Sequence, residues 1–405
     1  MNHAGPARVL VLTHFFTPET GAASHRTSAV VEALATAGHD VTVVAPFPSW
    51  PTGERARRYR GRLYAREELR SAKVARVWSF ASPKTTTRNR FLAMATSALS
   101  QLAYVALARP RYDVVYVSSP PITLALPALA AAALRRVPLV VDIRDVYPEV
   151  AVRLGEWKRG SRIERIVGRV ADALYKRAST VVTVTHTCRD DIVARGVDPA
   201  KVVVVQNGFD IVPPSVEPPY RKRDGEFVAS YTGNLGLANG VGLVADAAKH
   251  FEGEGRFKFL VVGDGAQREE LATKLRSESI GNVQMLGALS RSDAFAVQRL
   301  SDVCIVPLRR NLKDSLPTKL IDALALGRPV IVCADGEARR FVEESNAGVA
   351  VEPENPAALA EAIAALAADG DRLAAYARNG PAYVAGRYDR RVLARRIVER
   401  IAELA

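Results

Sequence analysis

Short apolar runs recur along the whole chain, each followed by a loop and then by apolar positions three and four apart. Val9–Thr13 is the first, an uninterrupted run of the kind that fills a parallel strand buried on both faces. The loop His14–Ala23 follows. Val30, Val31, Leu34 and Ala35 then hold helical spacing, with Ser24 as the predicted cap and Gly38 as the stop. Val41–Ala45 is the next strand, so a βαβ unit opens an α/β domain. Val114–Val117, Leu139–Val141, Val181–Val184 and Val202–Val205 continue the series, with helices predicted from Arg88 to Arg109 and near 122–136 and 161–177.

A second series starts at Phe227–Tyr231 and runs through Phe257–Val262, Val283–Leu286, Val303–Val306 and Val330–Cys333. Between the two lie Pro213, Pro214, Pro218 and Pro219 and the charged stretch Arg221–Glu226, which predict a linker. Tyr388–Leu404 reads as a basic helix. The pattern predicts two Rossmann-like domains, 1–208 and 209–387, with 388–405 returning to the first and a cleft between the two sets of strand ends. A length of 405 residues agrees with two cores rather than one.

Composition narrows the function. Three cysteines, Cys188, Cys304 and Cys333, form no CxxC pair, which excludes a disulfide framework and a cysteine-cluster zinc site and fits a reducing cytoplasm. No signal peptide is expected, and the most apolar run, Ile122–Leu134, is too short to span a bilayer. The net charge of +13 is lopsided: residues 1–208 hold 30 Lys/Arg against 16 Asp/Glu. Such a half suits a phosphorylated substrate, an anionic membrane or nucleic acid. Arg55, Arg57, Arg58, Arg60, Arg62, Arg66 and Arg70, beside the apolar helix that follows, are the expected membrane contact. Nucleic acid is the weaker reading, because only Tyr59 and Tyr64 interleave with these arginines.

The chemistry concentrates in residues 311–335. Pro317 suits the first turn of a helix that Gly327 and Pro329 end. Lys319 then falls where the helix dipole is positive, a mildly unfavourable place unless an anion sits in front of it. Asp322 shares its face. Elsewhere, Gly21 stands alone in the first loop, Thr232–Gly240 and Gly263-Asp264-Gly265 follow strands, and Arg268 occupies the third-glycine position of a dinucleotide fingerprint. Asp142, Arg144, Asp145 and Glu149 cluster at the carboxyl end of a strand, where open α/β sheets bind ligands; Arg144 and Asp145 equally make a structural ion pair.

These segments together resemble the retaining GT-B glycosyltransferases of family four, and among them the bacterial transferases that build O-antigen, capsule or exopolysaccharide units, of the N-acetyl-L-fucosamine transferase type. The resemblance rests on 15–23, 38–43, 144–149, 207–210, 231–236, 262–265, 317–329 and 335–337. It implies an enzyme with a nucleotide-sugar donor, UDP-linked, and a polyprenyl-diphosphate-linked acceptor at the inner membrane face, with no metal cofactor. It implies that Gly21, Gly233, Asn234, Gly236, Gly263, Asp264, Leu289, Thr318, Lys319, Leu320 and Asp322 hold the donor, and that Lys319, Asp145 and Asp314 act at the reacting sugar. Asp314 and Asp322 keep the spacing of the family's two glutamates, each one methylene shorter. Asn234 and Asn239 stand where many relatives carry an arginine and a lysine, which leaves more of the phosphate charge to Lys319. The family's N-terminal histidine has no counterpart within 142–149. A GT-B epimerase or phosphorylase is the alternative chemistry.

Overall fold

The computed structural model describes the whole chain except residues 1–4, 20, 51, 85, 109–110, 211–215 and 237–238. Pro213 and Pro214 of the expected linker, Leu237 and Ala238 of the second-domain loop, Thr20 of the first loop and Arg109 at the end of a predicted helix lie outside the described residues. The chain divides into two compact units, residues 1–207 with Arg390–Ala405, and Gly208–Asp389.

Unit 1 holds β1 (Arg8–Leu12), β2 (Asp40–Pro46), β3 (Tyr64–Leu69), β4 (Ala72–Val77), β5 (Val114–Ser119), β6 (Leu139–Ile143), β7 (Thr180–Thr183) and β8 (Val202–Val204) in one sheet of order β3-β4-β2-β1-β5-β6-β7-β8. Every pairing is parallel except that of β3 with β4. The strand order reverses beside β1, as in doubly wound dinucleotide folds. Alternation along β1 divides the core: Val9 and Val11 face helices Ala22–Thr36 and Arg390–Ala402, while Leu10 and Leu12 face helices Thr87–Leu107, Ala125–Arg135 and Arg162–Arg177. The C-terminal helix packs on Ala22–Thr36 within this unit.

The first helix starts differently from the sequence expectation. Gly21, at φ 133°, is its N-cap, and Ser24 lies inside the first turn and is buried. The arginine-rich stretch also differs. Its second half forms edge strand β3, paired with β4 through a turn at Arg70 and Ser71, both at positive φ. Neither strand was legible, because β3 (Tyr-Ala-Arg-Glu-Glu-Leu) alternates only partly and its charges mask a period of two.

Unit 2 holds β9 (Phe227–Thr232), β10 (Phe257–Val262), β11 (Val283–Gly287), β12 (Val303–Pro307), β13 (Val330–Cys333) and β14 (Gly348–Val351), all parallel, in the order β11-β10-β9-β12-β13-β14. This is the same winding with the reversal between β9 and β12, so each unit has one switch point at the carboxyl ends of its central strands.

Candidate functional site

The switch point of unit 2 is built from two glycine loops and one lysine. Gly233 follows β9 and Gly263 follows β10. The loops are laced by backbone bonds: Gly233 N–H to the Val262 carbonyl at 2.9 Å, Leu235 N–H to Asp264 at 2.9 Å and Gln267 N–H to Leu235 at 2.8 Å. A Cβ on Gly263 would lie 1.8 Å from the Gly233 carbonyl oxygen, so only glycine permits this approach. On Gly233, at φ 150°, a Cβ would meet Lys319 Nζ at 2.8 Å.

Lys319 enters from helix Thr318–Ala325, which follows β12 through the loop 308–317. Pro317 is the N-cap, one residue before the first turn that the sequence assigns to it, and the helix closes on Gly327 at φ 67°. There Gly327 N–H donates to Leu324 and Arg328 N–H to Ala323, which satisfies the last carbonyls. Lys319 is thus the second helical residue. Its Nζ donates to the Tyr231 hydroxyl at 2.8 Å and to Asn239 Oδ1 at 2.9 Å, and it lies 4.3 Å from the centre of the Tyr231 ring. The Tyr231 hydroxyl donates on to the Asn234 carbonyl at 2.7 Å, which also accepts from Asn239 Nδ2 at 2.8 Å.

The lysine partners in this network, a phenol and an amide, are neutral. Burial therefore pushes the ammonium down to about 7. Burial also raises the Tyr231 phenol, which keeps it a neutral donor. A cation held beside a helix N-terminus by uncharged partners is a receptor for an anion. Tyr231 and Asn239 lie in segments that the sequence marks out, but nothing in it gives them this role. No local pattern could, since Tyr231 and Asn239 are 88 and 80 positions from the lysine.

The other expected donor-site residues gather here unequally. Asn234 and Gly236 lie on the first glycine loop, and Gly265 sits so close that its Cβ would meet Asn234 Oδ1 at 2.4 Å. Asp264 is turned onto its own loop, accepting from Gly265 N–H at 2.7 Å and from Arg268 at 3.2 Å. Thr318 opens the lysine helix and is partly buried. Leu320 is fully buried in the core and its N–H reaches the Pro317 carbonyl, so it supports the helix instead of presenting a side chain. Leu289 packs on Val228, Leu260 and Val262 just past β11. Asp322, one turn beyond Lys319, and Asp314, in the loop before the helix, are both part-exposed. That loop is pinned where the Lys313 carbonyl accepts Glu337 N–H at 2.9 Å, against Gly336.

Unit 1 has its own switch point. Gly21 caps the first helix, and among the described residues, its chain neighbours aside, no atom lies within 4 Å of a Cβ there. Asp142 is not a ligand candidate: fully buried, it accepts from Arg26 Nε and Nη2 at 2.8 and 2.9 Å and from the Tyr116 hydroxyl at 2.6 Å. Arg144 is anchored on backbone carbonyls. Its guanidinium donates to the Ser119 and Pro120 carbonyls, at 3.3 and 2.9 Å. Asp145 stays part-exposed just past β6. One further residue, His14, directly follows Thr13 at the end of β1. Its Nδ1 is enclosed without a hydrogen-bond partner, and burial lowers the imidazole to about 4, so it is neutral.

Comparison with known proteins gives this geometry a family. Residues 21–208 match the profile of the "Glycosyl transferase 4-like domain" and residues 226–369 that of "Glycosyl transferases group 1". The chain is similar to WcaI of Escherichia coli (strain K12), named for colanic acid biosynthesis glycosyl transfer, with 25% identity over 375 residues, 88% of this chain and 91% of the relative. Its fold is similar to Anabaena HepE in complex with UDP, at a TM-score of 0.71 and 18% identity over 98% of this chain and 100% of that one. The sucrose-phosphate synthase of Thermosynechococcus elongatus superposes at 0.73, also with 18% identity, over 98% and 99%. With a glycosyltransferase profile on each of its two Rossmann-like units, the chain belongs to the glycosyltransferases of the GT-B fold.

Proposed function

We propose that this glycosyltransferase moves a sugar from a UDP-linked donor to a polyprenyl-diphosphate-linked saccharide at the cytoplasmic face of the membrane, with retention at C1, in the synthesis of a cell-surface polysaccharide. The observation that carries this reading is the Lys319 ammonium, half-buried and held by neutral partners at the switch point of unit 2. The name of the E. coli relative, which refers to colanic acid, and the UDP complex of the Anabaena structure support the acceptor and donor classes. Glycosyltransferase profiles on both units favour transfer over epimerisation or phosphorolysis.

In this reading the bond from C1 to the diphosphate oxygen breaks and its electron pair leaves with the diphosphate. The acceptor hydroxyl oxygen joins C1 on the same face and its proton passes to a departing phosphate oxygen. Lys319 and the N–H groups near Gly236 stabilise the leaving charge, so no metal is called for. Asp322 accepts from the ribose hydroxyls, Asp314 approaches the donor sugar, and Asp145 is a polar group for the acceptor.

UDP at about 100 times its dissociation constant should stabilise the protein by roughly 2.7 kcal/mol, and EDTA should leave that gain intact. Strict dependence of UDP binding on a divalent ion would count against this reading. The binding should also be proton-linked. A diphosphate favours the charged lysine, whereas free Lys319 loses its proton near 7. UDP affinity should therefore be level below that pH and fall towards about tenfold per pH unit above it. A dissociation constant unchanged between about pH 7 and 9, measured by calorimetry, would separate Lys319 from the diphosphate.

The carboxylates should divide by role. Asp322→Ala should chiefly weaken UDP binding, by roughly 1.5–3 kcal/mol for charge-assisted hydrogen bonds. Asp314→Ala should slow transfer more than it weakens UDP binding. Equal losses of UDP affinity in the two variants would mean that the sugar has been misplaced.

A further inference from the structure

Helix Arg162–Arg177 turns apolar side chains outward. Its inner side is closed by Ala171, Leu174 and Tyr175 in the core of unit 1. On its outer side Ile163, Ile166 and Val170 are 42%, 61% and 38% exposed, at the three-and-four spacing of one stripe. Arg162, Arg165 and Arg169 are exposed among them. The neighbouring helix Ala125–Arg135 packs alongside and adds Leu126 and Leu134, 51% and 65% exposed. Isolated exposed leucines need no explanation, but five large apolar residues on two adjoining helices do.

Charge selects the occupant. Helix Ala125–Arg135 contains no carboxylate. The two on the other helix are engaged: Glu164 accepts from Gly160 N–H at the helix start, and Asp172 pairs with Arg195. On these two helices the exposed charges flanking the branched aliphatic side chains, Arg162, Arg165 and Arg169, are positive. A protein partner would ordinarily meet such a face with a rim of both signs. A bilayer rich in anionic lipid matches it throughout, the aliphatic groups entering the acyl boundary and the guanidinium groups meeting lipid phosphates.

We propose that the outer face of helices Ala125–Arg135 and Arg162–Arg177 docks this enzyme on an anionic membrane surface. This deepens the lipid-linked acceptor reading and rests on it for its purpose. It places the contact on these helices, with the Arg57–Arg60 stretch that the sequence favours, beside the exposed Leu63 and Tyr64, as the competing face.

The test is co-sedimentation of the full chain with phosphatidylcholine vesicles with and without phosphatidylglycerol. Wild type should bind the anionic vesicles only. Each basic residue near an anionic surface is worth about fivefold in partitioning, so Arg165→Glu with Arg169→Glu should weaken binding by more than about twentyfold. Ile163→Glu with Ile166→Glu should abolish it. Both pairs are exposed, so folding should persist, and UDP-induced stabilisation should be unchanged in each. A triple reversal of Arg57, Arg58 and Arg60 to Glu should bind vesicles like wild type. Wild-type vesicle binding by both helix variants would overturn the proposal, as would loss in the triple variant alone. A concentration-dependent increase in mass that Ile166→Glu abolishes, with no vesicle binding, would assign the face to a second copy of the chain. Absent UDP binding with vesicle docking intact would instead sink the donor reading and leave this surface standing.

Discussion

Lys319→Ala should lower the rate of sugar transfer by about 10²–10³ while leaving the melting temperature unchanged or slightly higher. The diphosphate gains charge as the bond to C1 breaks, so the ammonium holds the transition state more tightly than the bound donor. Tyr231 and Asn239 are neutral and cannot replace it. Stability should not suffer, because the folded protein carries this charge at a cost. The lysine pKa falls from the ordinary 10.5 to about 7 on burial. Between those values the unfolded chain binds a proton that the folded chain does not, so wild-type stability attributable to Lys319 rises with pH across that window. The stabilising side of Lys319→Ala should accordingly be largest below pH 7 and fade towards pH 10, offset in part by the lost contacts to Tyr231 and Asn239. Lys319→Arg should rescue turnover only partly, since a planar fork does not fit the space of a compact ammonium against Gly233. Transfer assays with a cognate donor, run beside thermal melts, decide the matter. A folded Lys319→Ala enzyme within about threefold of wild type would remove the centre of this reading.

Asp142→Ala should destabilise the protein by about 3–5 kcal/mol, the usual cost of stranding one partner of a buried ion pair. Burial by itself would raise this carboxyl, but Arg26 and the Tyr116 hydroxyl hold it below its usual range. Arg26 is equally enclosed, and its remaining contacts are the Val205 and Gln206 carbonyls. Those two bonds fasten the residues that follow β8 to the first helix, so the loss should loosen that end of the sheet. The pH dependence has a definite sign. A depressed carboxyl contributes stability above the unfolded value of about 3.9 and loses it as pH falls through the folded value. The gap between wild type and Asp142→Ala should then be full at neutral pH and narrow below about pH 4. Urea denaturation at both pH values reads this. The double variant Arg26→Met with Asp142→Leu should recover most of the loss, because it removes both charges. If the double variant is as unstable as the single one, the damage is packing and not a stranded cation.

Much of this protein was written in its local pattern. The uninterrupted runs at Val9, Val41, Val114, Phe257 and Val330 each became a buried parallel strand, because a strand covered on both faces has no polar side to interrupt it. The helix stop at Gly327 was legible for a similar reason: only a residue free to adopt positive φ closes a helix in that way. Local pattern also chose Lys319, since a cation in a first helical turn is out of place without an anion.

Local pattern could not supply what surrounds that lysine. Tyr231 and Asn239 reach it only because strand order puts β9 beside β12, and the depressed lysine pKa follows from that enclosure. The same holds for Asp142. As sequence it was one of several carboxylates at a strand end; as structure it answers Arg26, 116 residues away. Leu320 reads as a site residue by its place in the motif, yet the helix turns it into the core. The edge pairing of β3 and the outward isoleucines of helix Arg162–Arg177 were hidden because both break the rule that apolar side chains mark the inside. Sequence spacing fixes which residues share one face of one element; which faces meet, and which stay open to a partner, depends on contacts between residues far apart in the chain.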